Sequence, residues 1–120
     1  FRSVLDMSVV EELLSLADDG DPELLLDLIQ MFLDDGPAKV QAVVSGVAVG
    51  DFDQAERAAH SLKGSSGNLG ARILQNVCEE LQLATRNHKL EESRRLAPQL
   101  QTSFAEAEIA LRKLLTSYQA

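Results

Sequence analysis

The stretch that decides the fold reads Ala58-Ala59-His60-Ser61-Leu62-Lys63-Gly64-Ser65-Ser66-Gly67-Asn68-Leu69-Gly70-Ala71. With the residues before it, this stretch has apolar or small side chains at alternating steps of three and four, the spacing of one helix face. These side chains are Phe52, Ala55, Ala59, Leu62, Ser66 and Leu69. We therefore predict a central helix from about Phe52 to Gly67 that turns this stripe toward the core, with residues 68–70 as the connection to an antiparallel neighbour.

One flank of this helix does not belong to the core. At about 100° per residue, His60 lies roughly 130° from the centre of the apolar stripe, on a flank shared with Glu56, Lys63, Gly64 and Gly67. The imidazole of His60 should therefore reach solvent. A glycine inside a helix costs about 1 kcal/mol relative to alanine. Gly64 consequently needs a reason beyond helix stability, and the close approach of another backbone is the best one.

The run Ala59-His60-x-Leu62-Lys63-Gly64-Ser65-Ser66, followed by Leu69-Gly70, resembles the histidine-containing phosphotransfer (HPt) family. The resemblance continues through about Arg86, whereas residues 1–50 share only their helical character. It implies a phosphorelay intermediate of two-component signalling. In that role His60 accepts a phosphoryl group on a ring nitrogen from a receiver-domain aspartate and passes it to the aspartate of another receiver.

The neighbours of His60 suit a phosphocarrier. A histidine with an ordinary pKa near 6.5 is mostly free imidazole at neutral pH and can act as a nucleophile. Lys63 and Gly64 lie one helical turn away on the same side, so Lys63 can offer positive charge to phosphoryl oxygens. Gly64 and Gly67 are predicted to leave space for the loop of a docking receiver. Ser65 and Ser66 face away and are predicted to pack between helices.

Two further site residues follow from the resemblance. In some members of the family a glutamine and an arginine on the following helix line the phosphohistidine, and Gln82 and Arg86 stand at the matching distances from His60. An arginine can bond phosphate through its planar guanidinium. His88, near the end of that helix, is expected at the surface.

The sequence lacks the motifs of an independent phosphotransfer enzyme. It has no phosphate-cradling glycine loop, no nucleotide-binding motif and no carboxylate cluster suited to Mg²⁺. We expect a phosphocarrier with no cofactor of its own, whose partner receiver brings both Mg²⁺ and the acceptor aspartate. The expected partners are response-regulator receiver domains and a hybrid sensor histidine kinase, with this domain either part of that kinase or free-standing.

Two other functions are known for helical bundles, and the sequence excludes one of them. The first is a docking module that binds a receiver without phosphotransfer, in which His60 is incidental. The second, a metal- or haem-binding bundle, fails because His60 and His88 are the only histidines and do not form a paired ligand motif.

Composition sets the remaining bounds. The 120 residues fit a single domain spanning 1–120, and the absence of tryptophan leaves a core of aliphatic side chains. A formal net charge of −8 disfavours nucleic acid and membrane surfaces as partners. Cys78 has no internal disulfide partner and is expected to be a small core residue. We expect a cytoplasmic location, including that of a cytoplasmic domain on a membrane-anchored sensor kinase.

The first half of the chain is predicted to form several helices. Ser8 and Glu11 resemble a capping box that opens a short helix to about Ala17, which residues 18–20 end. Asp21 and Pro22 start a second helix, Gly36-Pro37 stops it, and residues 38–49 form another. Residues 50–51 then break the chain before the central helix.

The second half has two helices with clear apolar stripes. The first, from about 71 to 87, turns five side chains inward and leaves Gln82 and Arg86 outside that stripe: Leu74, Val77, Leu81, Ala84 and Thr85. The last, from about 90 to 117, has Pro98 as a kink or irregularity and a longer stripe: Leu96, Leu100, Phe104, Ala107, Leu111 and Leu114. The predicted fold is all-α, an antiparallel four-helix bundle at about 21–118 with an additional short helix within about 1–20.

Overall fold

The computed structural model describes residues 3–16 and 21–119, and helices are the regular structure of these residues. Five helices follow one another: α1 (Met7–Ser15), α2 (Glu23–Val49), α3 (Phe52–Asn68), α4 (Arg72–Arg86) and α5 (Leu90–Gln119). Helix α3 packs against α2 and α4, which both contact α5, while α1 packs on α2. The predicted antiparallel four-helix bundle with a short N-terminal helix is therefore confirmed.

The short helix α1 begins differently from the prediction. Its N-cap is Asp6 rather than Ser8, because the carboxylate of Asp6 accepts hydrogen bonds from the Ser8 hydroxyl at 2.6 Å and the Ser8 N–H at 3.1 Å. These two bonds lower the pKa of Asp6 below its ordinary value, since they stabilise the charged form. The predicted end of this helix at Ala17 and the breaker at 18–20 lie outside the described residues.

Helix α1 is fixed to the turn between α3 and α4. The backbone N–H of Asp6 donates to the carbonyl of Gly70 at 2.7 Å, and Arg72 forms an ion pair with Asp6 at 3.5 Å. Gly70 has a φ of 76°, and a Cβ there would lie 2.7 Å from the carbonyl oxygen of Asp6. Only glycine meets both conditions without strain, so it allows α1 to cover this end of the bundle.

The prediction that Gly36-Pro37 ends a helix is wrong, since α2 runs through both residues to Val49. Pro37 cannot donate a hydrogen bond to Leu33, a loss that costs about 3 kcal/mol in a helix interior. Buried side chains on both sides of Pro37, including Phe32, Leu33, Val43 and Val47, hold the two halves in one helix. Gly36 serves packing instead: a Cβ there would lie 2.6 Å from the ring of Phe104 on α5.

The other predicted boundaries of α2 and α3 are close to those observed. Helix α2 begins one residue later than an N-cap at Asp21 predicts, because its N-cap is Pro22, while the carboxylate of Asp21 accepts from the Glu23 N–H at 3.0 Å. At the far end, Gly50 has a φ of 75° and ends α2 in the left-handed conformation typical of helix C-termini. Asp51 then caps α3 by accepting from the Gln54 N–H at 3.1 Å.

The predicted core stripe of α3 is confirmed except at its first residue. The other five members are buried, and so is Ala58, which was not predicted. Phe52 is only partly buried, because it lies at the first turn of the helix, where its ring stacks on that of His88 with centroids 4.7 Å apart. His88 is exposed, as predicted, but it has a structural contact that the sequence did not indicate.

The stripes of α4 and α5 are confirmed. All five predicted side chains of α4 are buried, and those of α5 are buried except Leu114, which packs partly exposed against the core. Helix α5 continues through Pro98.

Cys78 is fully buried, and this burial raises the pKa of its thiol to about 12, consistent with an unreactive core residue. Of the described helices, none combines the length and apolar character needed to cross a membrane.

Candidate functional site

The imidazole of His60 lies at the surface of α3 and contacts one side chain of α4. Its Nδ1 is 3.0 Å from Nε2 of Gln82. Within residues 3–16 and 21–119, Nε2 of His60 makes no hydrogen bond, and the residue is exposed as predicted. One ring nitrogen is therefore tied to the bundle, while the other is open to a reaction partner.

Gln82 is buried, with 7% of its surface exposed, so its predicted place outside the inner stripe of α4 is wrong. The physical reason is that its side chain lies in the α3–α4 interface, where its amide meets His60. A neutral imidazole has one donor and one acceptor nitrogen, and an amide offers both an oxygen and an NH₂ group. In the structure the amide nitrogen faces the ring and donates to Nδ1, so Nδ1 is the acceptor and the proton of a neutral ring lies on Nε2. With the amide turned over, its oxygen would accept from Nδ1 and Nε2 would keep its lone pair.

Two ion pairs lie on either side of this contact. Arg86 donates from Nε to a carboxylate oxygen of Glu56 at 2.8 Å. The ammonium of Lys63 lies 3.6 Å from a carboxylate oxygen of Glu79. Both predicted cations are thus on the same face as His60, but each is already paired with a carboxylate of the facing helix.

These contacts form a regular ladder across α3 and α4, which we call the 60/82 ladder. Its rungs are Glu56–Arg86, His60–Gln82, Lys63–Glu79 and Gly67–Gln75. Each step of three or four residues along α3 is matched by an equal step backward along α4, as antiparallel neighbours at constant register require. The histidine rung is therefore bracketed by ion pairs of opposite polarity, one with its cation on α4 and one with its cation on α3.

The two glycines predicted to admit a partner differ in their surroundings. A Cβ built at Gly64 meets no atom within 4 Å, so the surface beside His60 is open there. A Cβ at Gly67 would lie 2.8 Å from Nε2 of Gln75, whose amide oxygen accepts from Arg72 at 3.1 Å. The space at Gly67 is consequently occupied by a side chain of the same protein.

The two serines after Gly64 have structural roles. Ser66 is fully buried, and its hydroxyl donates to the carbonyl of Leu62 at 2.6 Å, which confirms the predicted packing role. Ser65 is partly buried and lines a small concavity between α3 and α2. Among the described residues, no group of three or more histidine, cysteine, aspartate or glutamate side chains could hold a metal ion.

Sequence reasoning missed the carboxylates of the ladder as partners of Lys63 and Arg86. Glu56 precedes His60 by four residues, and Arg86 follows Gln82 by four. This equal spacing in opposite directions was a usable signal, because antiparallel neighbours in register place such residues opposite each other. Glu79 could have been found in the same way from Lys63.

Known proteins resemble this chain in sequence. A family model described as "Hpt domain" matches residues 27–115. Histidine-containing phosphotransfer protein 5 of Arabidopsis thaliana is 34% identical over 70 residues, covering 56% of this chain and 45% of that protein. Multistep phosphorelay regulator 1 of Schizosaccharomyces pombe is 26% identical over 81 residues, covering 68% of this chain and 28% of that protein. The chain thus spans less than half the length of these curated relatives.

Solved structures share the whole fold. Histidine-containing phosphotransfer protein B from Pseudomonas aeruginosa is similar with a TM-score of 0.86 and 27% identity, and the match covers 98% of this chain and 99% of that one. Histidine-containing phosphotransfer protein MtHPt2 from Medicago truncatula has a TM-score of 0.79 and 28% identity, over 97% and 79% of the two chains. The family model spans most of this sequence, including the entire 60/82 ladder, and the chain therefore belongs to the Hpt domain family.

Proposed function

We propose that this domain is a phosphorelay intermediate whose phosphoacceptor is His60. It takes a phosphoryl group from the aspartyl phosphate of one receiver domain and passes it to the aspartate of another. The observation that carries the proposal is the asymmetry of the ring: Nδ1 is held by the buried amide of Gln82 at 3.0 Å, and Nε2 is open. The relatives named for histidine phosphotransfer and for multistep phosphorelay support the same role.

The chemistry requires a lone pair on Nε2. This nitrogen attacks the phosphorus of the receiver's aspartyl phosphate, the N–P bond forms, and the P–O bond to the aspartate breaks. The carboxylate leaves with the electron pair of that bond. Nε2 has its lone pair free when the ring proton is on Nδ1, so the proposal requires the amide of Gln82 to turn over from its present orientation, in which its nitrogen faces Nδ1. The amide oxygen then accepts from the Nδ1 N–H and holds the ring in the reactive tautomer throughout the transfer. Return transfer is the same sequence in reverse.

The neighbouring residues supply charge and access. Lys63 and Arg86 carry positive charge on the two rungs beside His60, where each can favour the added phosphoryl group. Gly64 leaves the surface beside the ring open, which suits the approach of a receiver loop. We propose that the receiver contributes Mg²⁺ as well as the reacting aspartate, so that this domain is a carrier that depends on its partners for catalysis.

The test is labelling by a phosphorylated receiver domain. Wild-type protein should gain an acid-labile, base-stable label, and His60→Gln should gain none. His88→Gln is the matched control, because it removes the other histidine and should be labelled as wild type. We expect His60→Gln to change the free energy of unfolding by less than about 1 kcal/mol, since a glutamine at 60 can still bond Gln82.

Two results would contradict the proposal. Retained labelling of His60→Gln would place the phosphoryl group elsewhere. A wild-type domain that binds the receiver but stays unlabelled would instead identify a docking module without phosphotransfer.

A further inference from the structure

The ion pair between Glu56 and Arg86 is short, although it should contribute little to the stability of the fold. Nε of Arg86 lies 2.8 Å from the Glu56 carboxylate, while the side chains are 54% and 28% exposed. Exposed pairs of this kind contribute little to folding, because screening and side-chain ordering offset the attraction. The pair nevertheless joins two helices at the rung next to His60, which favours a role in the function of that site.

The geometry of the bond leaves most of the guanidinium free. A guanidinium has five N–H donors, and the bond to Glu56 uses the one on Nε. In the described part of the chain, the terminal nitrogens of Arg86 have no other hydrogen-bond partner. One helical turn separates Glu56 from His60 on α3, and one turn separates Arg86 from Gln82 on α4. The free donors of Arg86 therefore belong to the same surface as the reactive ring.

We propose that Glu56 is a positioning residue, which holds the guanidinium of Arg86 so that its terminal N–H groups bond the phosphoryl oxygens on His60. This role rests on the proposed function. Arginine suits it because its planar group can bond a carboxylate with one nitrogen and a phosphoryl group with the others. A guanidinium held in place before transfer also loses less conformational freedom when the phosphoryl group arrives.

The opposite role for Glu56 is competition: its carboxylate would withhold Arg86 from the phosphoryl group and repel the added negative charge. Two substitutions separate these roles. Glu56→Gln keeps an oxygen that can accept from Nε of Arg86 but removes the charge, whereas Glu56→Ala removes both. Positioning predicts that only Glu56→Ala impairs transfer. Competition predicts that both variants transfer at least as well as wild type and keep the phosphohistidine longer.

The experiment measures the rate of transfer from a phosphorylated receiver at saturating receiver concentration. We expect Glu56→Ala to slow this step about threefold to tenfold, with Glu56→Gln close to wild type and receiver affinity unchanged. In an Arg86→Ala background, Glu56→Ala should have no further effect, because its action passes through Arg86. A slowing that persists in that background, or an unimpaired Glu56→Ala, would overturn the proposal.

A spectroscopic measurement tests the positioning without phosphotransfer. The Nε–H resonance of Arg86 should be protected from exchange with water in wild type and in Glu56→Gln, and lose this protection in Glu56→Ala. Glu79→Ala is the matched control, since it removes the other ladder carboxylate and should leave this resonance unchanged. If the receiver labels the wild-type protein but the Arg86 resonance is equally protected in all variants, the positioning role of Glu56 is wrong and the proposed function stands. An unlabelled wild type would overturn the proposed function, and this role with it.

Discussion

Gly36, between α2 and α5, is enclosed by atoms of the same chain, whereas Gly64, on the α3–α4 face, borders open space. A Cβ at Gly36 would lie 2.6 Å from the ring of Phe104, which itself stacks on Phe32 with centroids 5.3 Å apart. A Cβ at Gly64 would meet nothing within 4 Å. Both glycines lie inside helices, so both weaken local helix propensity by about 1 kcal/mol relative to alanine.

The difference shows what a helical glycine can mean. At Gly36 the missing side chain makes room for an aromatic ring of the same chain, and the glycine belongs to the core. At Gly64 no part of the described chain uses the space, which leaves it available to a partner. The same substitution at the two positions should therefore have opposite effects on stability, and only the open position should affect phosphotransfer.

The largest expected effect is on receiver transfer by Gly64→Gln. The added side chain would project into the open surface one turn from His60 and obstruct the approaching receiver, so transfer should fall at least about tenfold, a barrier increase near 1.4 kcal/mol. The free energy of unfolding should rise by up to about 1 kcal/mol, because glutamine is the better helix former and nothing opposes it. Thermal unfolding and receiver-dependent labelling measure the two effects separately.

Two controls sharpen this prediction. Gly64→Ala should raise stability in the same way but impair transfer much less, since a methyl group protrudes far less than glutamine. Phosphoramidate is a small donor that needs no protein docking. The rate at which it labels Gly64→Gln should be much closer to the wild-type rate than the rate of labelling by a receiver is. Undiminished receiver transfer in Gly64→Gln would mean that the open surface is not where the receiver docks.

A substitution at Gly36 should lower the stability of the fold, whereas one at Gly64 should raise it. Overpacking a core costs about 1–3 kcal/mol. At Gly36→Ala we expect this cost to exceed the gain in helix propensity and leave a net loss of about 1 kcal/mol. Chemical denaturation measures it. Phe104→Leu is the matched second change: the double variant should lose less than the sum of the two single losses, because the smaller side chain relieves the crowding. A stabilised Gly36→Ala would show that the ring of Phe104 moves aside freely.

This contrast also explains how far the sequence could predict the fold. Periodicity located α3, α4 and α5, because their apolar residues recur at helical spacing over many turns. It failed at Gly36-Pro37, where local propensity predicts a stop but burial on both sides keeps α2 continuous. Propensity is a local property, and the packing that overrides it comes from residues distant in the sequence, such as Phe104.

The candidate site was predictable to the extent that it follows from one helix. The motif placed His60, Lys63 and Gly64 on one flank of α3, and in the structure His60 and Gly64 are exposed there and Lys63 is partly exposed. The burial of Gln82 and the pairing of each cation with a carboxylate depend on how α3 and α4 face each other, which the pattern of either helix alone does not determine. Register between helices is a tertiary property, and it is the part that the sequence left open.

A smaller effect is expected for Lys63→Ala. The substitution removes one positive charge beside His60 but leaves the nucleophile and the Arg86 guanidinium, so transfer or phosphohistidine lifetime should fall about threefold. Stability should change by less than about 0.5 kcal/mol, because the ion pair with Glu79 is long at 3.6 Å and its partners are 34% and 53% exposed. Rate and lifetime identical to wild type would make Lys63 an ordinary surface lysine.

The smallest expected effect, at Gly67→Ala, determines how far the open surface extends along α3. A methyl group there would lie 2.8 Å from Nε2 of Gln75, the far end of a flexible and partly exposed side chain, which can move but would weaken its bond to Arg72. The gain in helix propensity should offset this cost, so we expect a change in unfolding free energy within about 0.5 kcal/mol. Because Gln75 already covers Gly67, a receiver has no space to lose at this position, and transfer should match wild type.

The sequence motif alone predicts docking at both glycines and hence slower transfer. A several-fold loss in Gly67→Ala with unchanged small-donor labelling would extend the docking surface beneath Gln75, and that side chain would then have to move when the receiver binds.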